Sequence, residues 1–311
     1  MTKIQGLIAA TFGTFHADGS LNLDGIPPLV DKLVDDGLKG VFICGTNGEG
    51  PNLTIEERMA TAEAYMEAAQ GRLLVLVHVG HTSIAESRKL ASHAERIGAD
   101  AISAVAGFYF KPSSIGNLVA CMAEIAAAAP STPFYYYHIP ALTGVGMDMV
   151  AFLQLADKEI PNLAGIKYTA STLHEYQVCL NYDGGKFDVL FGYDELLLSA
   201  LAVGAKGAIG STYTFAAPVY KEVMQAFDAG DLPTAQRLQL GLVDMVRAFV
   251  KYSPIPAQRA IMSMLGYELG HCRLPLQPLS AAQSEALRGE LETLSFFDTL
   301  KRSSMPVGKH A

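Results

Sequence analysis

The chain has 311 residues, half of them hydrophobic, with 23 Lys and Arg against 31 Asp and Glu and a formal net charge of −8. That is ample for a large buried core, and an acidic chain without a Lys/Arg block argues against nucleic acid and anionic membrane surfaces as partners. No run approaches 18 apolar residues, so no segment is expected to span a membrane, and the start MTKIQGLIAATFGTF lacks the pattern of a signal peptide. Cys44, Cys121, Cys179 and Cys272 lie far apart with no C-x-x-C pair. They read as reduced thiols in a cytoplasmic protein.

Short apolar runs then alternate with longer amphipathic stretches. The runs are continuous rather than alternating, which marks strands buried on both faces. They fall at residues 6–10, 41–45, 73–79, 101–106, 134–138, 163–168, 187–191 and 208–211. Between them, helices are expected at about 24–36, from a capping box at Thr54-Ile-Glu-Glu, and at about 83–97, 114–129, 147–156, 173–181 and 195–203. Gly37, Gly98 and Gly204 stand where helix C-caps are expected. Eight strand-then-helix repeats mean a parallel sheet, and at this length a closed (β/α)8 TIM barrel of the α/β class is the natural solution. A doubly wound open sheet is the alternative, but no G-x-G-x-x-G follows the first strand.

After the eighth strand, helical patterns cover 218–229, 232–252, 257–265 and 280–300. A minimal barrel needs only one more helix. The expected division is a barrel catalytic domain over 1–229 and a C-terminal helical extension over 230–311, packed on the barrel. The last residues, SSMPVGKHA, read as a frayed tail.

Barrel chemistry sits at the C-terminal ends of the strands. Those ends carry Gly45-Thr46-Asn47-Gly48-Glu49, Phe108-Tyr109-Phe110, Tyr135-Tyr136-Tyr137-His138, Lys167-Tyr168-Thr169, Gly192-Tyr193-Asp194-Glu195 and Gly210-Ser211-Thr212. Lys167 lies within the apolar run Leu163-Ala-Gly-Ile-Lys-Tyr, where a lysine is out of place unless paired. Burial disfavours an ammonium ion and yields the neutral amine that attacks a ketone. The plainer readings are a lysine reaching out to solvent or a buried ion pair. Lys39 and Lys206 directly precede strands and belong to the opposite face.

Tyr135 and Tyr137 face one way along their strand and Tyr136 the other. Any of the three could be filler, or one could shuttle protons beside an imine. The Gly45–Glu49 turn offers backbone N–H groups suited to a carboxylate. Asp194 and Glu195 could accept from a polyol, or simply open the next helix. His78 and His81 form H-x-x-H, but no third ligand is placed, so no metal is expected. His138 reads as packing.

In this order the motifs resemble the pyruvate-dependent class I aldolase family that includes dihydrodipicolinate synthase, and within it the N-acetylneuraminate lyases. The resemblance covers nearly the whole chain. Gly45-Thr46-Asn47-Gly48-Glu49 is similar to the G-[ST]-T-G-E loop, and Tyr137-His138-Ile139-Pro140-Ala141-Leu142-Thr143-Gly144 to the lyase form of Y-N-I-P. Gly165-Ile166-Lys167-Tyr168 is similar to the Schiff-base strand, Gly192–Glu195 to G-Y-D-E and Gly210–Tyr213 to G-S-T-Y.

The resemblance implies that Lys167 forms the imine and Tyr137 shuttles protons. Thr46 and the amides around Asn47 would hold the pyruvoyl carboxylate. Thr169, Gly192, Asp194, Glu195 and Ser211 would hold the sugar portion. Tyr109 would reach a neighbouring subunit's site in a homotetramer built as a dimer of dimers. The implied reaction is reversible cleavage of sialic acid to pyruvate and N-acetylmannosamine, with no cofactor and no metal. Leu142 stands where synthase relatives carry an arginine for a second carboxylate, which favours the lyase branch. Asn47, His138 and Thr214 depart from the usual residues and bear on fine specificity. The rival expectations are an aldolase for another 2-keto-3-deoxy sugar acid, a non-catalytic barrel that binds sugar or keto acid, and a zinc-dependent aldolase.

Overall fold

The computed structural model describes residues 3–304. Most of the expected tail, 305–311, therefore lies outside the described residues. Eight strands, β1 (Gly6–Ala9), β2 (Gly40–Ile43), β3 (Leu74–His78), β4 (Ala101–Val105), β5 (Phe134–His138), β6 (Leu163–Tyr168), β7 (Asp188–Phe191) and β8 (Gly207–Gly210), pair in parallel in chain order. β8 returns to β1 and closes the barrel. Each strand overlaps an apolar run found in the sequence, β2 and β8 starting one residue earlier, and β5 and β6 match residue for residue.

Helices α1 (Ile26–Asp35), α2 (Ile55–Ala69), α3 (Ile84–Arg96) and α4 (Ile115–Ala126) ring the first half of the barrel. A short α5 (Pro140–Thr143), then α6 (Met149–Glu159), α7 (Leu173–Asn181), α8 (Leu197–Ala202) and α9 (Tyr213–Asp228) come next. The capping box opens α2: the Thr54 hydroxyl accepts from Glu57 N at 3.2 Å, and the Glu57 carboxylate accepts from Thr54 N at 2.9 Å. Gly37, Gly98 and Gly204 take positive φ, as C-cap positions require.

Most helix boundaries fall within about three residues of the sequence expectation, and two differ by more. The helix expected to start at Pro218 starts at Tyr213, with Pro218 inside it. Proline favours a first turn, but Tyr213–Ala217 are all buried here, and that burial outweighs one lost backbone bond. The helix expected over 280–300 is two: α12 (Ala281–Thr293) and α13 (Phe296–Ser303), separated by Ser295 at φ 54°. Between α9 and α12 lie α10 (Leu232–Phe249), packed along α9, and α11 (Pro254–Met264).

Strand alternation builds two apolar layers. Ile8, Phe42, Leu76, Tyr135, Tyr137, Leu190 and Ile209 fill the barrel interior. Tyr136, Ile166 and Tyr168 pack outward against the helices. Burying each such side chain contributes roughly 1.5–3 kcal/mol. At the N-terminal end of the barrel, buried Asp188 accepts from Ile4 N at 3.0 Å and from the Tyr135 hydroxyl at 2.9 Å. Burial raises its carboxyl above the usual range. None of the four cysteines is paired, and among the described residues no helix is long and apolar enough to cross a membrane.

The Tyr135–Asp188 bond is one of two that satisfy a buried carboxylate. Tyr135→Phe is expected to lower the unfolding free energy by about 1–3 kcal/mol, read from urea melts at neutral pH. An unchanged midpoint would show that the carboxylate finds other partners.

Candidate active site

Parallel register sets Tyr137 on β5 opposite Lys167 on β6. Partners in a ladder point to the same face, here the barrel interior. Lys167 is 3% exposed. Its Nζ lies 3.8 Å from the Tyr137 ring centroid and 4.1 Å from that of Phe42. Among the described residues no Asp or Glu oxygen comes within 4.0 Å of it, so it is neither a solvent-reaching lysine nor half of an ion pair. Lys39 and Lys206 stand before β2 and β8, at the far end.

Above Lys167 a cavity of about 360 Å³ opens at the C-terminal rim. Thr46, Asn47, Tyr137, Lys167, Thr169, Gly192, Asp194, Glu195 and Ser211 all line it. Tyr109 does not: it is 78% exposed, its ring packed edge-on against Phe110. Leu142, at 62% exposure, stands at the cavity rim.

The loop after β2 is wound tightly. Cys44 and Glu49 both take left-handed φ, 55° and 53°. Gly50 N donates to Gly45 O at 3.0 Å, and a Cβ on Gly50 would stand 1.9 Å from Cys44 O. Among the described residues the Thr46 and Asn47 amides have no acceptor, leaving them free for a ligand. Glu49 faces away from them. Its carboxylate accepts from Arg273 N at 3.0 Å and lies 3.7 Å from Arg259 Nη1, so it anchors the loop.

The opposite wall carries the acids. Asp194 is buried and accepts from Thr212 N at 2.9 Å and Thr212 Oγ1 at 2.6 Å. Gly210 leaves it room, since a Cβ there would stand 1.8 Å from Asp194 Oδ1. Burial raises the Asp194 carboxyl above its usual range. Burial, then the neighbouring Asp194 charge, pushes Glu195 up to about 7. Thr169 Oγ1 is buried beside them without a partner, a hydroxyl a ligand would satisfy.

Several contributors were not singled out in the sequence. Thr212 holds Asp194, and its place within Gly210–Tyr213 was the available signal. Gln239 Nε2 donates to the carbonyls of Asp194 at 3.3 Å and Glu195 at 3.1 Å, while its Oε1 accepts from Leu198 N at 3.1 Å. A glutamine among Ala235, Leu238 and Leu242 on the buried face of α10 was its signal. Val246, Phe249, Val250 and Ile255 give the cavity an apolar wall. His81 Nδ1 accepts from Ser83 N at 2.9 Å, and among the described residues no three metal-ligating side chains cluster. His138 packs outward, 5.1 Å from the Tyr168 ring, and burial lowers it to about 4.

The sequence matches the dihydrodipicolinate synthetase family over residues 3–294. It is 39% identical to an N-acetylneuraminate lyase of Pongo abelii, over 98% of both chains. Among solved structures it is similar to the N-acetylneuraminate lyase of Proteus mirabilis, with a TM-score of 0.92 and 39% identity over 95% of this chain and all of that one. It is likewise similar to the N-acetylneuraminate lyase (sialic acid aldolase) of Aliivibrio salmonicida, with a TM-score of 0.93 and 42% identity over 95% of this chain and 98% of that one.

Glu195 carries a pH signature. Its folded value lies above its unfolded one, so its contribution to stability is present at low pH and lost as pH rises through about 7. Glu195→Gln avoids that loss. The variant is expected to match the parent near pH 4 and to exceed it at pH 8, by on the order of 1–3 kcal/mol. A gap in urea melts that does not widen with pH would count against a half-buried Glu195 with a raised carboxyl.

Proposed function

The chain belongs to the dihydrodipicolinate synthetase family, and on that premise we propose that it is an N-acetylneuraminate lyase, a class I aldolase that reversibly cleaves N-acetylneuraminate to N-acetylmannosamine and pyruvate. One observation carries the reading most. A buried, unpaired lysine stands beside a tyrosine, in a cavity with free amides on one side and two carboxylates on the other. The similarity to lyases over nearly the full chain supports the substrate.

The neutral Lys167 amine attacks the keto carbon of the open-chain sugar acid. The carbinolamine loses water to give the imine. Thr46 and the amides of Thr46 and Asn47 hold the adjoining carboxylate, which fixes the keto carbon over Nζ. Tyr137 relays the proton from the hydroxyl whose carbon becomes the aldehyde. The carbon–carbon bond breaks, and its electron pair passes through the new double bond to the imine nitrogen, leaving an enamine. Reprotonation and hydrolysis release pyruvate and restore Lys167. The imine nitrogen is the electron sink, so this chemistry asks for no metal or cofactor. Thr169, Gly192, Asp194, Glu195 and Ser211 receive the polyol.

The same reading places the enzyme in the cytoplasm as a homotetramer, a dimer of dimers with Tyr109 reaching a neighbouring subunit's cavity. Phe108, Tyr109 and Phe110 support it. They form an exposed aromatic corner, with Phe110 at 88%, of the kind that marks an interaction surface.

Incubation with pyruvate and borohydride should add one reduced pyruvoyl group at Lys167, located by peptide mass spectrometry, and Lys167→Ala should abolish it. An adduct on another lysine would overturn the mechanism. Tyr137→Phe should lower kcat by about 10²–10⁴-fold while leaving the protein folded. Cleavage of a 2-keto-3-deoxy sugar acid but not of N-acetylneuraminate would replace the substrate while keeping the chemistry. Light scattering should give four times the chain mass, and Tyr109→Ala should reduce activity without moving Lys167.

A further inference from the structure

The lyase reading leaves His78 unused, although it stands inside the barrel at the level of Lys167. Its ring centroid lies 5.9 Å from that of Phe42 and 6.0 Å from that of Tyr137, edge-on to the tyrosine. Its Nδ1 lies 3.1 Å from the carbonyl oxygen of Cys44. A carbonyl only accepts, so Nδ1 carries the proton and Nε2 the lone pair of a neutral ring. Arg58 Nη2 is 3.5 Å from Nδ1, but two donors do not bond. That guanidinium instead donates to His78 O at 2.6 Å and Gly80 O at 2.9 Å. Burial, then the charge of Arg58, holds the ring well below the usual histidine range.

The acceptor of this bond is no ordinary carbonyl. Cys44 sits at φ 55°, a left-handed conformation that costs a side-chain-bearing residue about 1 kcal/mol or more. It directly precedes Gly45-Thr46-Asn47, of which Thr46 and Asn47 line the cavity and, among the described residues, have amides without an acceptor. Rotating Cys44 back to an ordinary conformation would turn its carbonyl away from His78 and swing those amides with it.

We propose that His78 is a positioning residue for the carboxylate cradle: its Nδ1–H holds Cys44 in the left-handed turn that aims the Thr46 and Asn47 amides into the cavity. The proposal rests on reading that loop as the pyruvoyl carboxylate site. It also explains why the first histidine of the H-x-x-H pair is a histidine. Asparagine would place a donor near the same point, leucine would fill the space without one, and glutamine would reach past it.

The test uses the full-length enzyme and pyruvate concentration as the variable, in condensation with N-acetylmannosamine. Losing one such bond should raise KM for pyruvate about tenfold in His78→Leu with kcat within about threefold, and His78→Gln should behave alike. His78→Asn should return KM to within about threefold of the parent. A leucine variant with parental KM, or an asparagine variant no better than leucine, would overturn the proposal. If the variants do not fold, nitrogen NMR of the unaltered enzyme decides: a neutral Nδ1–H ring that does not titrate over about pH 6–8 supports it. An Nε2–H ring, or titration in that range, refutes it. A parent enzyme that forms no borohydride-trapped pyruvate adduct defeats the lyase reading instead, and the ring's tautomer still answers for His78.

Discussion

The parallel ladder between β5 and β6 is the constraint on which the site depends. It sets Tyr137 opposite Lys167, and barrel closure turns both inward. A slip of one residue would send Lys167 out among the helices and bring Ile166 or Tyr168 inside. The apolar interior around them is therefore part of the chemistry. Phe42, Tyr135, Leu190 and Ile209 exclude water below the amine and fix the ladder that holds it. Among the described residues a lysine in this layer has no carboxylate within 4.0 Å, so its amine is left unpaired beside the cavity.

Around that pair the cavity is built from two kinds of polar surface. On one side backbone amides are exposed by a strained turn, with left-handed Cys44 at its start and left-handed Glu49 at its end. Strain of this sort persists only where surrounding contacts over-determine it. His78 holds the start, while Arg259 and the Arg273 amide hold the end through Glu49. On the other side stand two adjacent carboxylates, both raised by burial and Glu195 further by the Asp194 charge, which give a wall able to accept from several hydroxyls. Under the proposed function, donors would face one end of a bound sugar acid and acceptors the other. The orientation of a molecule with a carboxylate head and a polyol tail results from that polarity.

Much of this was legible because burial on both faces leaves a plain mark in sequence. β5 and β6 read off residue for residue, since a continuous apolar run between a proline or asparagine and a polar rim has little freedom of placement. The rim residues were legible for the same reason, because they stand directly after the apolar runs, at the reactive end of each strand. The misses share a cause. Pro218 looked like a helix start because its local preference is strong, while the burial of Tyr213–Ala217 is a tertiary fact. The break at Ser295 lacks the glycine that usually announces one. Gln239 reads as one polar residue on an amphipathic helix, and only the fold shows the three backbone groups it meets.

Gln239 also bears on why the chain continues past the barrel. The segment after β7 presents Asp194 and Glu195 at the cavity on a short helical turn in which Leu197 N donates to Asp194 O. Buried carbonyls without donors cost roughly 1–3 kcal/mol each. Gln239 on α10 gives a donor to the carbonyls of both Asp194 and Glu195 and accepts from Leu198 N, so one side chain of the C-terminal helices fixes the backbone that carries both acids. Arg259 on α11 does the same at the other side, donating to Gly13 O at 2.6 Å while facing Glu49 at 3.7 Å. Val246, Phe249 and Val250, on α10 and at its end, close the cavity between these two anchors. The C-terminal helices thus reach both walls of the site with buried polar groups and roof it with apolar ones. A barrel ending at α9 would keep Lys167 and Tyr137 in register but leave both walls without their supports.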